Sequence, residues 1–192
     1  MRDTEQGKDT GALRPPEQSS VTRQMVEFVM TLVAAFAIAI ALRTYVIEPY
    51  EVPTGSMLPT IQLGDHLLAN KVVYRLRQPE RGDIVVFDDP THSVPTLIKR
   101  VIAVGGQTVD VRDGRVWVNG RALVEPYTHG ERSIDPGILK LPLRIPAGDA
   151  WMMGDNRISS EDSRYFGPVP ISTVRGEAFF IYWPFSRFGP LH

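Results

Sequence analysis

Three stretches of this 192-residue chain hold residue types whose spacing suits catalysis. In Glu51-Val-Pro-Thr-Gly-Ser-Met-Leu-Pro-Thr60, Pro53 and Pro59 bracket a Thr-Gly-Ser turn. A rigid, irregular loop of this kind exposes Ser56 as a nucleophile and aims backbone N–H groups at a developing oxyanion. The same residues also make ordinary turns, so the loop alone leaves both readings open. In Leu97-Ile-Lys-Arg-Val-Ile-Ala-Val104, strand alternation puts Leu97, Lys99, Val101 and Ala103 on one face and Ile98, Arg100 and Ile102 on the other. A lysine buried on such a face loses basicity and becomes a base near neutrality; one on a half-covered strand extends its stem and keeps its charge in water. The third stretch, Gly154-Asp-Asn-Arg-Ile-Ser-Ser-Glu-Asp-Ser-Arg164, is a polar loop between apolar segments, rich in groups that support a site through hydrogen bonds and ion pairs. Its acidic spacing does not fit a calcium loop, and a solvated loop is the plain alternative.

Short strands must position these residues. Asp83-Ile-Val-Val-Phe87, Leu97–Val104, Thr108–Val111, Arg115–Val118 and Ala178–Trp183 are rich in β-branched and aromatic side chains and are bounded by Gly-containing turns. Asp113-Gly114 between two alternating runs predicts a hairpin over Val109–Val118. Strands without intervening amphipathic helices imply a mostly β, antiparallel domain.

Ahead of them, Met25–Leu42 is apolar apart from Glu27 and Thr31. As a helix it rises about 27 Å, close to the hydrocarbon thickness of a bilayer. We read 25–43 as an uncleaved transmembrane signal anchor. The alternatives are a buried helix and a cleavable signal peptide ending at Ala37-Ile-Ala39 or Ala39-Ile-Ala41. Residues 1–24 have no apolar periodicity and are expected to be a disordered cytoplasmic tail. Arg2, Lys8, Arg14 and Arg23 precede the span and Arg43 follows it, which places the N-terminus inside and residues 44–192 outside.

Composition excludes several classes. Lys and Arg number 21 against 22 Asp and Glu, so no basic excess marks a nucleic-acid binder. With no cysteine, a thiol nucleophile, a disulfide scaffold and a zinc–thiolate site are ruled out. The four histidines form no HExxH pair, and no metal or cofactor is expected.

Taken in order, Pro-Thr-Gly-Ser-Met-Leu-Pro-Thr after the apolar helix, Arg81-Gly-Asp-Ile-Val-Val-Phe87, Lys99-Arg-Val-Ile102 and Gly-Asp-Asn-Arg-x-x-Ser-x-Asp-Ser-Arg resemble the bacterial type I signal peptidases. The departure is Ala103-Val-Gly-Gly-Gln107, where that family more often has Gly-Leu-Pro-Gly followed by an acid. The resemblance implies a membrane-anchored serine endopeptidase that cuts signal peptides after an Ala-x-Ala-like motif, through a Ser/Lys dyad and an acyl-enzyme. It makes Ser56 the nucleophile and Lys99 the general base. Thr54 and the Ser56 N–H become oxyanion donors, and Ser160 orients the lysine. Asp162 and Arg164 form a supporting ion pair, while Asp155, Asn156 and Arg157 hold the loop. Val52, Pro53, Met57, Leu97 and Ile98 are implied to line substrate pockets. The implied fold is an antiparallel catalytic domain over 44–192 with a small β subdomain inserted at 107–153. The implied partners are exported preproteins and membrane lipid, with the secretion translocon a further candidate and no nucleic acid. The implied location is the plasma membrane.

A tethered domain without activity remains the alternative from a different class, as does a self-cleaving repressor with a Ser/Lys dyad. The repressor would carry a DNA-binding domain in place of the anchor.

Overall fold

The structure, a computed structural model, describes residues 18–191, with side chains from Val21 onward. The first 17 residues of the expected tail lie outside the described residues. Two units divide between Ala41 and Leu42.

Helix α1 (Gln18–Tyr45) begins seven residues before the apolar run, so residues 18–24 of the expected tail are helical. Extending an existing helix adds one hydrogen bond per residue without a new nucleation cost, and Arg23 Nε pairs with Glu27 Oε1 at 2.9 Å one turn on. The 25-residue stretch Val21–Tyr45 is apolar and long enough to cross a bilayer, and none of its most apolar window is buried by protein. By length and apolar composition this helix fits a membrane span.

The second unit contains twelve strands: β1 (Ile47–Glu51), β2 (His66–Asn70), β3 (Ile84–Asp88), β4 (Thr96–Val104), β5 (Thr108–Arg112), β6 (Arg115–Val118), β7 (Arg121–Ala122), β8 (Leu143–Arg144), β9 (Asp149–Met153), β10 (Val169–Pro170), β11 (Val174–Trp183) and β12 (Gly189–Pro190). The main sheet runs β1-β2-β11-β3-β4-β9-β10, with β12 on β11, and the smaller sheet runs β7-β6-β5-β8. Every pairing is antiparallel, as the absence of crossover helices requires.

Parity of the strands explains the core. In β3, Ile84 and Val86 face one apolar cluster with Val52, Met57, Ile61 and Leu67, while Val85 and Phe87 face another with Val101, Ala150 and Met152. Both faces are covered, so β3 reads as an unbroken apolar run. In β4 the expected alternation holds from Leu97 to Val101 and then fails. A bulge between Val101 and Ala103 places Ile102 and Ala103 in the same cluster, with Trp151 and Met153. One extra residue in a strand reverses the facing of all that follow it, which is why Ala103 leaves the lysine's face.

The smaller sheet spans Thr108–Arg144 and covers that Trp151 cluster with Val109, Val111, Val116 and Val118. Asp149–Met153, expected in the inserted subdomain, instead pairs with β4 in the main sheet. Apolar side chains on both faces of β9 require burial on both sides, which the main sheet provides. The hairpin turns as expected: Asp113 and Gly114 have φ of 54° and 77°, the twin left-handed pair of a type I′ turn.

At the departure from the family pattern, Gln107 Oε1 accepts the Val104 N–H at 2.9 Å. A carboxylate can accept that N–H equally well, so an amide in the place of an acid preserves the turn. Gly105 is required beside it, because a Cβ there would stand 2.8 Å from the Pro146 carbonyl oxygen.

Candidate active site

Ser56 sits on the loop between β1 and β2, and the loop is fixed by its own apolar side chains. Met57 and Ile61 are buried in the cluster beneath β2 and β3, and the backbone closes with Leu58 N–H to Gly55 O and Ile61 N–H to Met57 O. The 154–164 loop grips it from the side. Asn156 donates its backbone N–H to Ser56 O at 3.1 Å and its Nδ2 to Gly55 O at 3.0 Å. Neither the Ser56 backbone N–H nor the Thr54 hydroxyl has a hydrogen-bond partner among the described residues.

Lys99 comes from the centre of the main sheet. It is paired with Val85 and shares a face with Leu97 and Val101; only 2% of its surface is exposed. Its Nζ stands 2.7 Å from Ser56 Oγ, although the two residues are 43 positions apart. Burial pulls the ammonium from 10.5 down to about 8, against Asp162, Glu161 and Asp89, whose charges pull it up. A lysine so placed is neutral in a large fraction of molecules at mildly alkaline pH and can then accept the hydroxyl proton.

The supporting loop is held by three guanidinium–carboxylate pairs. Arg100 reaches both oxygens of the fully buried Asp155, at 2.9 and 2.8 Å, and Thr60 Oγ1 donates to Asp155 Oδ2 at 2.6 Å. Arg164 forks onto Asp162 at 2.8 and 2.9 Å. Arg157 forks onto Glu125 at 2.8 and 2.7 Å and also donates to Ser133 Oγ and Gly154 O. Tyr127 lies between Arg100 and Arg157, with their guanidinium carbons 4.1 and 5.7 Å from its ring centroid. Each pair is nearly dry, so losing one partner strands a buried charge at a cost of about 3–5 kcal/mol.

Ser160 is 6% exposed and its hydroxyl has no hydrogen-bond partner among the described residues; it makes no bond to Lys99. It lies instead against Gly154, where an added Cβ would stand 2.3 Å from both Ser160 Oγ and Ser56 O.

A cleft of about 260 Å³ opens beside Ser56 and Lys99, walled by Thr54, Asp89, Val94, Leu97, Glu161 and Phe166. A larger hollow of about 820 Å³, between Arg81, Arg121 and Tyr127, does not include Ser56 or Lys99. Of the residues expected to line the pockets, Leu97 walls the cleft beside Ser56 and Lys99, and Pro53 is exposed. Val52 and Met57 are buried and Ile98 half-buried in the cluster under the Ser56 loop, where they hold that loop down.

Asp89 was not anticipated. Its carboxylate accepts from Thr91, Ser93 and Val94 N–H groups and shapes the cleft wall. The signal was present in Asp89-Pro-Thr-His-Ser93, since an Asp followed by Pro, Thr and Ser favours an Asx-type turn. The partners Arg100, Glu125 and Ser133 were also missed, because nothing local indicates which acid a distant guanidinium meets.

The chain belongs to the signal peptidase family, peptidase S26, whose pattern matches residues 25–183. It is 39% identical to a probable signal peptidase I-2 of Synechocystis, the alignment covering 100% of this chain and 84% of that one. It is 36% identical to a signal peptidase I of Leptolyngbya laminosa, over 92% of this chain and 91% of that one. A signal peptidase I of Mycobacterium tuberculosis is 34% identical, over 92% and 77%. Among solved structures, a signal peptidase I from Enterococcus faecalis V583 is 32% identical, with a TM-score of 0.44 over 53% of this chain and 97% of that one.

Gly154→Ala tests the contact between the two loops. Its methyl group would press on the Ser56 carbonyl, and a displacement near 1 Å costs about a hundredfold in rate. Initial rates of peptide cleavage should fall by about that factor; an unchanged rate would show that the loops yield without moving the hydroxyl.

Proposed function

We propose that this chain is a membrane-anchored serine endopeptidase that removes signal peptides from exported preproteins, cutting after an Ala-x-Ala-like motif. The observation that carries the reading is the 2.7 Å approach of a dry Lys99 amine to Ser56 Oγ. In the neutral enzyme the Ser56 hydroxyl donates to Lys99 Nζ. As Oγ attacks the scissile carbonyl, its proton passes to the amine. The tetrahedral oxyanion is met by the Ser56 N–H and the Thr54 hydroxyl, and their lack of internal partners supports that role. Collapse expels the new N-terminal amine, which takes the proton from the Lys99 ammonium and leaves an acyl-enzyme on Ser56. Water activated by Lys99 then hydrolyses the ester. Ser160, assigned by the resemblance to orient the lysine, makes no hydrogen bond to Lys99 in this arrangement and lies against Gly154, so its part would be to steady the loop beside Ser56.

The extended peptide lies along the loop at Pro53–Thr54 and the β4 edge near Leu97, with small side chains in the shallow cleft. The uncovered apolar helix anchors the enzyme in the plasma membrane, and the Lys/Arg excess ahead of it leaves the N-terminus in the cytoplasm and residues 44–192 outside. Membrane lipid is then its permanent neighbour, and the secretion translocon delivers its substrate.

Cleavage of a purified preprotein with an Ala-x-Ala site by the full detergent-solubilised chain tests the activity, and sequencing the new N-terminus tests the motif. The pH dependence tests the base. Only the neutral amine accepts the proton, so kcat/KM should rise with pH and level off above about 8. Below that value each pH unit should cost about tenfold. A flat profile between pH 6 and 9 would remove Lys99 as the base.

A further inference from the structure

The geometry points to Arg187 as a positioning residue for the peptidase reaction, acting on the Ser56 loop from the far end of the chain. This inference rests on the Ser56–Lys99 assignment above. Arg187 follows β11, four residues beyond the stretch that matches the family. Its Nε lies 2.9 and 3.1 Å from the two oxygens of Asp65, and its Nη2 donates to the Thr60 carbonyl oxygen at 2.9 Å. Both contacts fall on the nucleophile loop. Asp65 is 1% exposed and also accepts the Gln62 N–H at 2.8 Å, so its carboxylate closes the loop on itself.

The chain of contacts continues to the base. Thr60, whose carbonyl Arg187 holds, donates its hydroxyl to Asp155, and Asp155 is gripped by Arg100, the neighbour of Lys99 on β4. Thr60, Asp155 and Arg100 therefore connect the Ser56 loop to the strand bearing the amine, and Arg187 holds the Thr60 end of that bridge. A fork that spans a carboxylate and a carbonyl fixes orientation as well as distance, which a single charge cannot do. Arg187 touches neither Ser56 nor Lys99, so its influence is on where the hydroxyl sits.

Arg187→Ala, Arg187→Lys and the wild-type full chain are compared in detergent on one preprotein. A loop that drifts by a fraction of an ångström from the amine should lower kcat about tenfold to a hundredfold with KM little changed. It should also admit water to Lys99, moving the rising limb of the pH profile above 8 toward the unburied value of 10.5. Arg187→Lys keeps the ion pair and loses the Thr60 contact, so it should fall between the two. Millimolar guanidinium ion should restore part of the activity of Arg187→Ala and none to the lysine variant.

Loss of rate that only follows loss of folded protein, with the pH midpoint unmoved and no guanidinium rescue, would overturn the assignment. So would full activity in Arg187→Ala. An inactive wild-type chain would instead overturn the proposed function, and the two failures are thereby told apart.

Discussion

Ser56→Ala is expected to lower the cleavage rate by on the order of 10⁵–10⁶, the usual consequence of removing the nucleophile of a serine peptidase. The protein should remain folded. Among the described residues the Ser56 hydroxyl bonds only to Lys99, whereas the loop is held by the buried side chains of Met57 and Ile61 and by the Ser56 carbonyl, which accepts from Asn156. Alanine keeps every one of those contacts. Initial rates on an Ala-x-Ala preprotein, read beside a thermal melt, give both quantities. Appreciable cleavage by a well-folded alanine variant would remove the serine mechanism.

The second large effect has two signs. Lys99→Met should be as inactive as the serine variant, and it should melt at a higher temperature than the wild type at pH 7. The folded state holds the Lys99 ammonium below its ordinary basicity, at about 8 against 10.5. The unfolded chain therefore binds more protons than the folded one between those values, and wild-type stability climbs as pH rises through that window. Below pH 8 the full penalty of burying the charge is present, equivalent to about 3 kcal/mol at roughly 1.4 kcal/mol per pH unit. An apolar side chain of similar length removes that penalty, so the gap between variant and wild type should be widest below pH 8 and shrink toward pH 10. Lys99→Arg separates charge from proton transfer. Guanidinium does not release its proton in this range, so this variant should be inactive with its charge intact. A Lys99→Met protein less stable than wild type at every pH would mean that the ammonium is well solvated where it stands.

Much of this was legible in the residue order. The apolar helix, the Asp113-Gly114 hairpin and the Ser56 and Lys99 segments are local patterns, and each signal lies within a few neighbouring residues. What was hidden depends on distance. Strand alternation alone could not reveal the bulge before Ala103, because β9 imposes it from across the sheet. Val52 and Met57 look like pocket residues because they flank Ser56, but a loop that must hold a hydroxyl still uses its apolar side chains as pegs. The pairings of Arg100 with Asp155 and Arg187 with Asp65 join residues 55 and 122 positions apart, and composition shows only that acids and bases balance.

The smaller sheet leaves β4 and returns to β9 through neighbouring residues: Val104 faces Ala150, and Gly105 N–H donates to Asp149 O. By connectivity it is a cassette, and a short turn could close the gap in a minimal or chimaeric enzyme. By electrostatics it is not freely exchangeable. Glu125, Tyr127 and Ser133 travel with the cassette, and they neutralise and stack on guanidinium groups rooted in the parent domain. A donor cassette lacking an acid at the place of Glu125 would leave Arg157 charged in a dry interior. Grafts across this family should therefore succeed when Arg157 is exchanged together with the cassette, and fail when the boundary is cut between them.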